Sequence, residues 1–158
     1  SVMISMAFVN DDVRDVVKTA ISMIPNDSEY YSVISFAYNR CLKYGDWHDA
    51  LAECEEKYKK YNWIHAYPNA CCEIIALMYG EGDFEKTLNI ITMCCIDADC
   101  NAGMSMPVLG IQKGMGIIPK RLISPAFDKL VTYMRHYEEI MLDDLVDDTL
   151  KYIKKAQA

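Results

Sequence analysis

The stretch Cys95-Ile96-Asp97-Ala98-Asp99-Cys100-Asn101 separates two apolar segments that both have helical spacing. It places two carboxylates, one residue apart, where the first of those helices should end. A helix-to-loop junction can direct both side chains to one point, and carboxylate oxygens are ligands that Mg²⁺, Mn²⁺ and Ca²⁺ prefer. An aspartate that caps a helix gives the same short pattern. The sequence therefore predicts either a metal site or a helix cap at this loop.

On both sides of this loop, apolar residues recur at steps of three and four, which is the spacing of amphipathic helices. Polar residues with capping ability precede most of these segments, among them Asn10-Asp11-Asp12, Asp46 and Asp83. Asn26 and Glu29 have the spacing of a capping box. No alternating run is long enough for a strand, so the predicted fold is all-α and multi-helical. The predicted helices are 13–24, 26–44, one capped by Asp46, 68–79, 84–95, 102–116, 124–137 and one capped by Asp143. The last is expected to bury Leu145, Val146, Leu150 and Ile153.

Length and charge restrict the class of protein. The chain has 158 residues, which fits a single domain over 1–158, and a formal net charge of −7. That charge, without a basic stripe, argues against a nucleic-acid partner. The longest apolar run, 74–79, is too short to span a membrane, and no leader marks the chain for export. The seven cysteines include no Cys-x-x-Cys and no zinc-ligand spacing, so we expect reduced thiols and a cytoplasmic protein.

A short internal similarity leaves another scaffold open. Tyr44-Gly45-Asp46 and Tyr79-Gly80 each end one helix and begin the next, and their glycines are 35 residues apart. This distance is close to the tetratricopeptide period, although only two copies are present. A scaffold of that kind would bind an extended peptide, and a change at Asp97 would have no effect on it.

Four stretches of the sequence, taken in chain order, together form one recognisable set of motifs. They are Trp63-Ile64-His65-Ala66-Tyr67-Pro68-Asn69-Ala70, then Gly82-Asp83-Phe84-Glu85-Lys86, then Asp97-Ala98-Asp99-Cys100-Asn101, and finally Gly116-Ile117-Ile118-Pro119-Lys120. Together they resemble the carboxy-terminal half of the catalytic domain of the ADP-ribosylglycohydrolase family. The resemblance covers nearly the whole chain.

The resemblance implies an all-helical hydrolase with two divalent ions, usually Mg²⁺, which cleaves the glycosidic bond between ADP-ribose and an acceptor such as arginine or serine. Asp97 and Asp99 match metal-ligating aspartates of the family. Cys100 stands where a Thr or Ser hydroxyl is often a ligand, and a thiol is a poor ligand for Mg²⁺. Asn101, His65 and Asn69 are expected beside the ligands or along the substrate cleft.

Several positions depart from the family pattern. Ala98 replaces the usual Thr, and Met104 and Met106 stand where small residues are usual. The family's other metal-binding segment, a Thr-Asp-Asp run, does not occur in this sequence, so the binuclear site is incomplete here. We therefore expect the chain alone to be inactive, and a non-catalytic module that binds ADP-ribose or a protein is the alternative. The apolar segment 2–9 predicts self-association or a missing amino-terminal half.

Overall fold

The computed structural model describes residues 1–123 and 129–156, and the all-α prediction is confirmed there. These residues form two compact units, Ser1–Ile117 and Ile118–Ala158, which are described in turn. The first unit contains α1 (Val2–Ala7), α2 (Val13–Ser22), α3 (Glu29–Lys43), α4 (Trp47–Tyr58), α5 (Ala66–Gly80), α6 (Phe84–Met93), α7 (Ala98–Lys113) and a 3-10 turn (Met115–Ile117). The second contains α8 (Lys120–Ile123), β1 (Lys129–Val131), β2 (Glu139–Met141) and α9 (Leu142–Ala156).

Short polar side chains fix where the helices of the first unit begin. Asp12, Asp46 and Asp83 each accept a backbone amide of the turn that follows, as the sequence predicts. Helix α3 differs, because its cap is Ser28, whose Oγ accepts the amide of Tyr31 at 3.1 Å. The predicted capping box from Asn26 is therefore wrong, because the helix starts two residues later.

Helix α5 is the centre of the first unit. It packs against α2, α3, α4, α6 and α7, and eleven of its fifteen residues are buried. Apart from Asn69 and Glu73, the residues of α5 from Ala66 to Gly80 carry no amide or charged side chain, and a helix without a polar face must be enclosed by others. The adjacent thiols of Cys71 and Cys72 show this enclosure, since they hydrogen bond to different neighbours, Cys54 and Cys94. Those bonds and burial raise the pKa of both thiols.

Helix α7 is longer than its composition suggests. The sequence predicts an interrupted helix over 102–116, yet the structure has a continuous helix, Ala98–Lys113, with Pro107 inside it. Pro107 lies on the exposed side, and a Cβ on Gly103 or Gly110 would contact nothing within 4 Å. The opposite face, with Ser105, Val108 and Leu109, is buried. The helix therefore begins within the acidic loop, which determines the position of Asp97.

The second unit contains a small hairpin where the sequence predicts a helix. Strands β1 and β2 are antiparallel with Leu130 opposite Ile140, and Lys129 pairs with Glu139. Thr132 closes the turn, because its Oγ1 donates to the carbonyl of Tyr137 at 2.6 Å. The predicted helix 124–137 is thus wrong over 129–137, where cross-strand pairing outweighs local helical spacing. Its start at 124–128 lies outside the described residues.

Helix α9 forms where the sequence predicts it, but its apolar side is not buried. Val146, Leu150 and Ile153 are 47–49% exposed, and no residue of the helix is buried. Helical periodicity shows which residues share a face, but it does not supply the surface that covers them. In residues 1–123 and 129–156, no helix has the length and apolar character needed to cross a membrane.

Candidate metal centre

The acidic loop is the short connection between α6 and α7. Helix α6 ends at Met93, and Cys95 adopts a left-handed conformation with φ of 60°. The chain then enters α7 with Asp97 at the N-cap position. The carbonyl oxygen of Asp97 accepts the amide of Asn101 at 2.9 Å, which is the first bond of the new helix. The backbone of Asp97 thus starts α7, and its side chain takes no part in that bond.

The carboxylates of this loop lie close together. One ligand atom each from Asp97, Asp99 and Cys100 lies within 4.8 Å of the others, and this is the only such group in the described part of the chain. Asp97 is half-buried, and the other two side chains are exposed. The side chain of Asp97 makes no capping bond. The capping alternative is therefore wrong for Asp97, because its carboxylate accepts no backbone amide of the helix.

The thiol of Cys100 faces its acidic neighbour. It hydrogen bonds to the carboxylate of Asp97, and this bond and the negative charge raise the pKa of the thiol. A protonated thiol is a soft, neutral group, which suits neither Mg²⁺ nor Ca²⁺. The donor set therefore fits a hard divalent cation through two carboxylates, and Cys100 does not fit as a third ligand.

A buried pair of amides holds the loop against α5. Asn69 and Asn101 are 7% and 2% exposed, and the Nδ2 of Asn101 donates to the Oδ1 of Asn69 at 2.7 Å. The same Oδ1 accepts the backbone amide of Asp97 at 3.4 Å. The Nδ2 of Asn69 donates to the carbonyls of Trp63 and His65 at 2.8 and 3.0 Å. One side chain thus joins the start of α5 to the acidic loop.

His65 has a structural position at the start of α5. Its Nδ1 accepts the amide of Tyr67 at 3.2 Å, so this nitrogen caps the helix. The imidazole also packs against the rings of Tyr61 and Tyr67, with centroids 4.1 and 4.7 Å away. Its link to the acidic loop runs through its carbonyl and Asn69. The structure thus connects His65, Asn69, Asn101 and Asp97 through the chain of hydrogen bonds centred on Asn69.

The loop carries negative charge without a basic partner. Neither Asp97 nor Asp99 forms an ion pair with a residue of 1–123 or 129–156. Two carboxylates this close repel one another, and a bound cation would remove that repulsion.

Glu73, a lone carboxylate in the apolar run of α5, is not among the functional residues predicted from the sequence. It is 8% exposed, and burial raises its pKa to about 7. Its sequence context could have indicated this position, because Glu73 is a single acidic residue with apolar residues on both sides, between Cys72 and Ile74.

The helical fold and this loop define a class, that of all-α proteins with a pair of neighbouring carboxylates at a helix-to-helix turn. The chain belongs to the ADP-ribosylglycohydrolase family, whose pattern matches residues 1–156. The resemblance drawn from the sequence is thereby confirmed. The family is generally metal-dependent and implies ADP-ribosylated substrates. No curated protein and no solved structure matches the chain.

Proposed function

We propose that Asp97 and Asp99 bind Mg²⁺ as part of a site that hydrolyses an ADP-ribosyl glycosidic bond. The observation that carries this proposal is the carboxylate of Asp97, which is half-buried, lies near that of Asp99 and caps no backbone amide. An aspartate at an N-cap position normally accepts such an amide. The Asp97 carboxylate accepts no such amide, and the chain belongs to the ADP-ribosylglycohydrolase family. Both observations support Asp97 as a metal ligand.

The residues of this chain would hold and orient the site. Asp97 and Asp99 would supply carboxylate oxygens, and Asn69 with Asn101 would keep the loop fixed against α5. Such buried supports limit the freedom of ligand side chains and so favour binding. When bound, the cation would polarise the sugar end of the bond and orient a water molecule.

The ligand set of this chain is small for Mg²⁺, which requires octahedral coordination and releases its own water reluctantly. Two carboxylates in the described residues, and no Thr-Asp-Asp run in the sequence, leave most positions to water or to groups outside these 158 residues. We therefore propose weak Mg²⁺ binding and little hydrolysis by the chain alone. Phe8 and Val9 are largely exposed, which supports the prediction of self-association or an amino-terminal partner.

Titration with Mg²⁺, followed by backbone amide NMR of the labelled chain, tests the ligand assignment. We expect saturable shifts confined to 95–101, and their loss in Asp97→Asn and Asp99→Asn. Asp143→Asn is the matched control, because it removes one carboxylate from the acidic start of α9 and should leave the titration unchanged. Cys100→Ser should tighten binding by about threefold, because a hydroxyl oxygen is a harder ligand than a thiol. Shifts that survive both loop variants would refute the assignment.

A second measurement addresses the reaction. Release of ADP-ribose from ADP-ribosyl-arginine and ADP-ribosyl-serine peptides is followed with and without Mg²⁺. We expect little release by the 158-residue chain, and Mg²⁺-dependent release once the missing ligands are supplied by a longer form of the protein. Rapid turnover by the chain alone, without Mg²⁺, would contradict both the proposed Mg²⁺ dependence and the proposal that the metal site of this chain is incomplete.

A binding module without catalysis is the second candidate. The hydrogen bond from the Cys100 thiol to Asp97 favours it, because that bond uses part of the carboxylate on which the metal depends. This candidate predicts binding of ADP-ribose that needs no metal and leads to no turnover. Calorimetric titration with ADP-ribose, with Mg²⁺ and then with a chelator, distinguishes the two functions.

A further inference from the structure

A cavity of about 240 Å³ lies in the first unit among residues of α1, α2, α3, α5 and α7. Its walls are largely aliphatic and include Met3, Ile34 and Met104. Glu73 is the only charged side chain in the lining, and Tyr30 and Ser1, which carries the α-amino group, also line the cavity. None of the acidic-loop residues lines this space, so it is a separate site.

Glu73 has no partner in this cavity. It forms neither a hydrogen bond nor an ion pair with a described residue, although it is 8% exposed. Desolvation raises the pKa of the carboxyl to about 7, and the charge of Glu73 contributes to the raised pKa of Tyr30. Buried carboxylates in proteins are normally paired or hydrogen bonded, because their isolation costs several kcal/mol. An unpaired carboxyl that faces an apolar cavity holds a proton at low pH and, once ionised, offers a counter-ion to a cationic group that enters the cavity.

We propose that this cavity binds a small amine, with its ammonium or guanidinium group at Glu73 and its apolar stem along the aliphatic wall. Charge complementarity selects this class of ligand. Above the pKa of Glu73, an anion would be repelled by the carboxylate, and a neutral apolar ligand would leave it without a counter-ion. The cavity is smaller than the roughly 300–1,000 Å³ of pockets for drug-sized ligands, so the stem is short. The proposal does not depend on the metal loop or on hydrolysis.

Two methionines give a local readout of binding. Met3 and Met104 line the cavity, whereas Met93 and Met115, which are as exposed as Met104, lie outside it. The full chain, with isotope-labelled methionine methyl groups, is titrated with n-butylammonium and n-butylguanidinium at about pH 8, above the pKa of Glu73. We expect saturable shifts of Met3 and Met104, while Met93 and Met115 stay unchanged. The two ligands show which cationic head group the site prefers.

Matched ligands and variants isolate the charge. n-Butanol has the same stem without the cation and should bind at least about tenfold more weakly, and butyrate should not bind. Glu73→Gln keeps the size of the side chain and should weaken n-butylammonium binding by at least about tenfold. Glu56→Gln removes an exposed carboxylate elsewhere and should have no effect.

Several results would overturn the proposal. One is the absence of any saturable shift at Met3 and Met104 in the unmodified chain. Equal binding of n-butanol and n-butylammonium, or unchanged affinity in Glu73→Gln, would show that the carboxylate is not the counter-ion. The comparison of the three butyl ligands uses the unmodified protein, so it decides the question even if a variant folds poorly.

Discussion

Asn69→Ala should destabilise the protein more than its single side chain suggests. Asn69 donates to two backbone carbonyls and accepts the side-chain amide of Asn101, all inside the structure. Loss of the two bonds to carbonyls costs about 1 kcal/mol each. The amide of Asn101, which is 2% exposed, would lose its acceptor, at a further cost of about 1–3 kcal/mol. The expected decrease in the free energy of unfolding is therefore about 3–5 kcal/mol.

Urea unfolding, monitored by circular dichroism, measures this decrease by linear extrapolation. Asn89→Ala is the matched control, because Asn89 is exposed on α6 and its replacement should change stability by no more than about 0.5 kcal/mol. The double variant Asn69→Ala, Asn101→Ala removes both members of the buried pair. It should cost less than the sum of the single variants, because neither amide is then left alone.

Two outcomes would refute this reasoning. A decrease below about 1 kcal/mol for Asn69→Ala would mean that the amide pair does not hold the loop. Strict additivity in the double variant would mean that Asn69 and Asn101 act independently. Either result would also weaken the metal proposal, since the loop would lack its anchor on α5.

Two further predictions concern stability. Because burial raises the pKa of Glu73 to about 7 from an ordinary value near 4.3, the folded state holds this proton more tightly than the unfolded state. The contribution of Glu73 to the free energy of unfolding should fall by about 3 kcal/mol as the pH rises from about 4 to about 7, and urea unfolding should show this as a difference in pH dependence between the unmodified chain and Glu73→Gln. An equal slope in both proteins would contradict it. Gly80→Ala should cost about 1–3 kcal/mol, because the new Cβ would lie 1.9 Å from the Oγ1 of Thr87, whereas Gly103→Ala meets nothing and should be neutral or slightly stabilising in thermal unfolding.

The helices of the first unit were predictable because their signals are local. Aspartate at 12, 46 and 83 offers a carboxylate to the next turn, and this holds whatever packs nearby. The continuous helix across Pro107 was less predictable, since it depends on which side of α7 faces solvent. The hairpin at Lys129–Val131 and Glu139–Met141 depends on pairing between separated residues, which helical spacing in 124–137 does not contain.

Part of the candidate site could also be predicted from local motifs, and part depends on contacts between distant residues. The family and the residues Asp97, Asp99, Cys100 and Asn101 could be recognised from motifs, because neighbouring residues at fixed spacing carry them. The sequence did not show which of these side chains could bind a metal ion. That depends on α7 starting through the backbone of Asp97, on the Cys100 thiol bonding to Asp97, and on Asn69 reaching the loop from 28 residues away.

The sequence by itself determined the helical class, the family and the position of the acidic pair. These properties follow from short-range spacing and from motifs that are written along the chain. Only the tertiary structure decided that Asn69 and Asn101 form a buried pair and that Glu73 faces an aliphatic cavity without a partner. Burial and pairing depend on which distant surfaces meet. In water the Glu73 carboxyl would ionise near its usual pKa, but the apolar residues around α5 make the ionised form unfavourable. The fold therefore sets the pKa of this group.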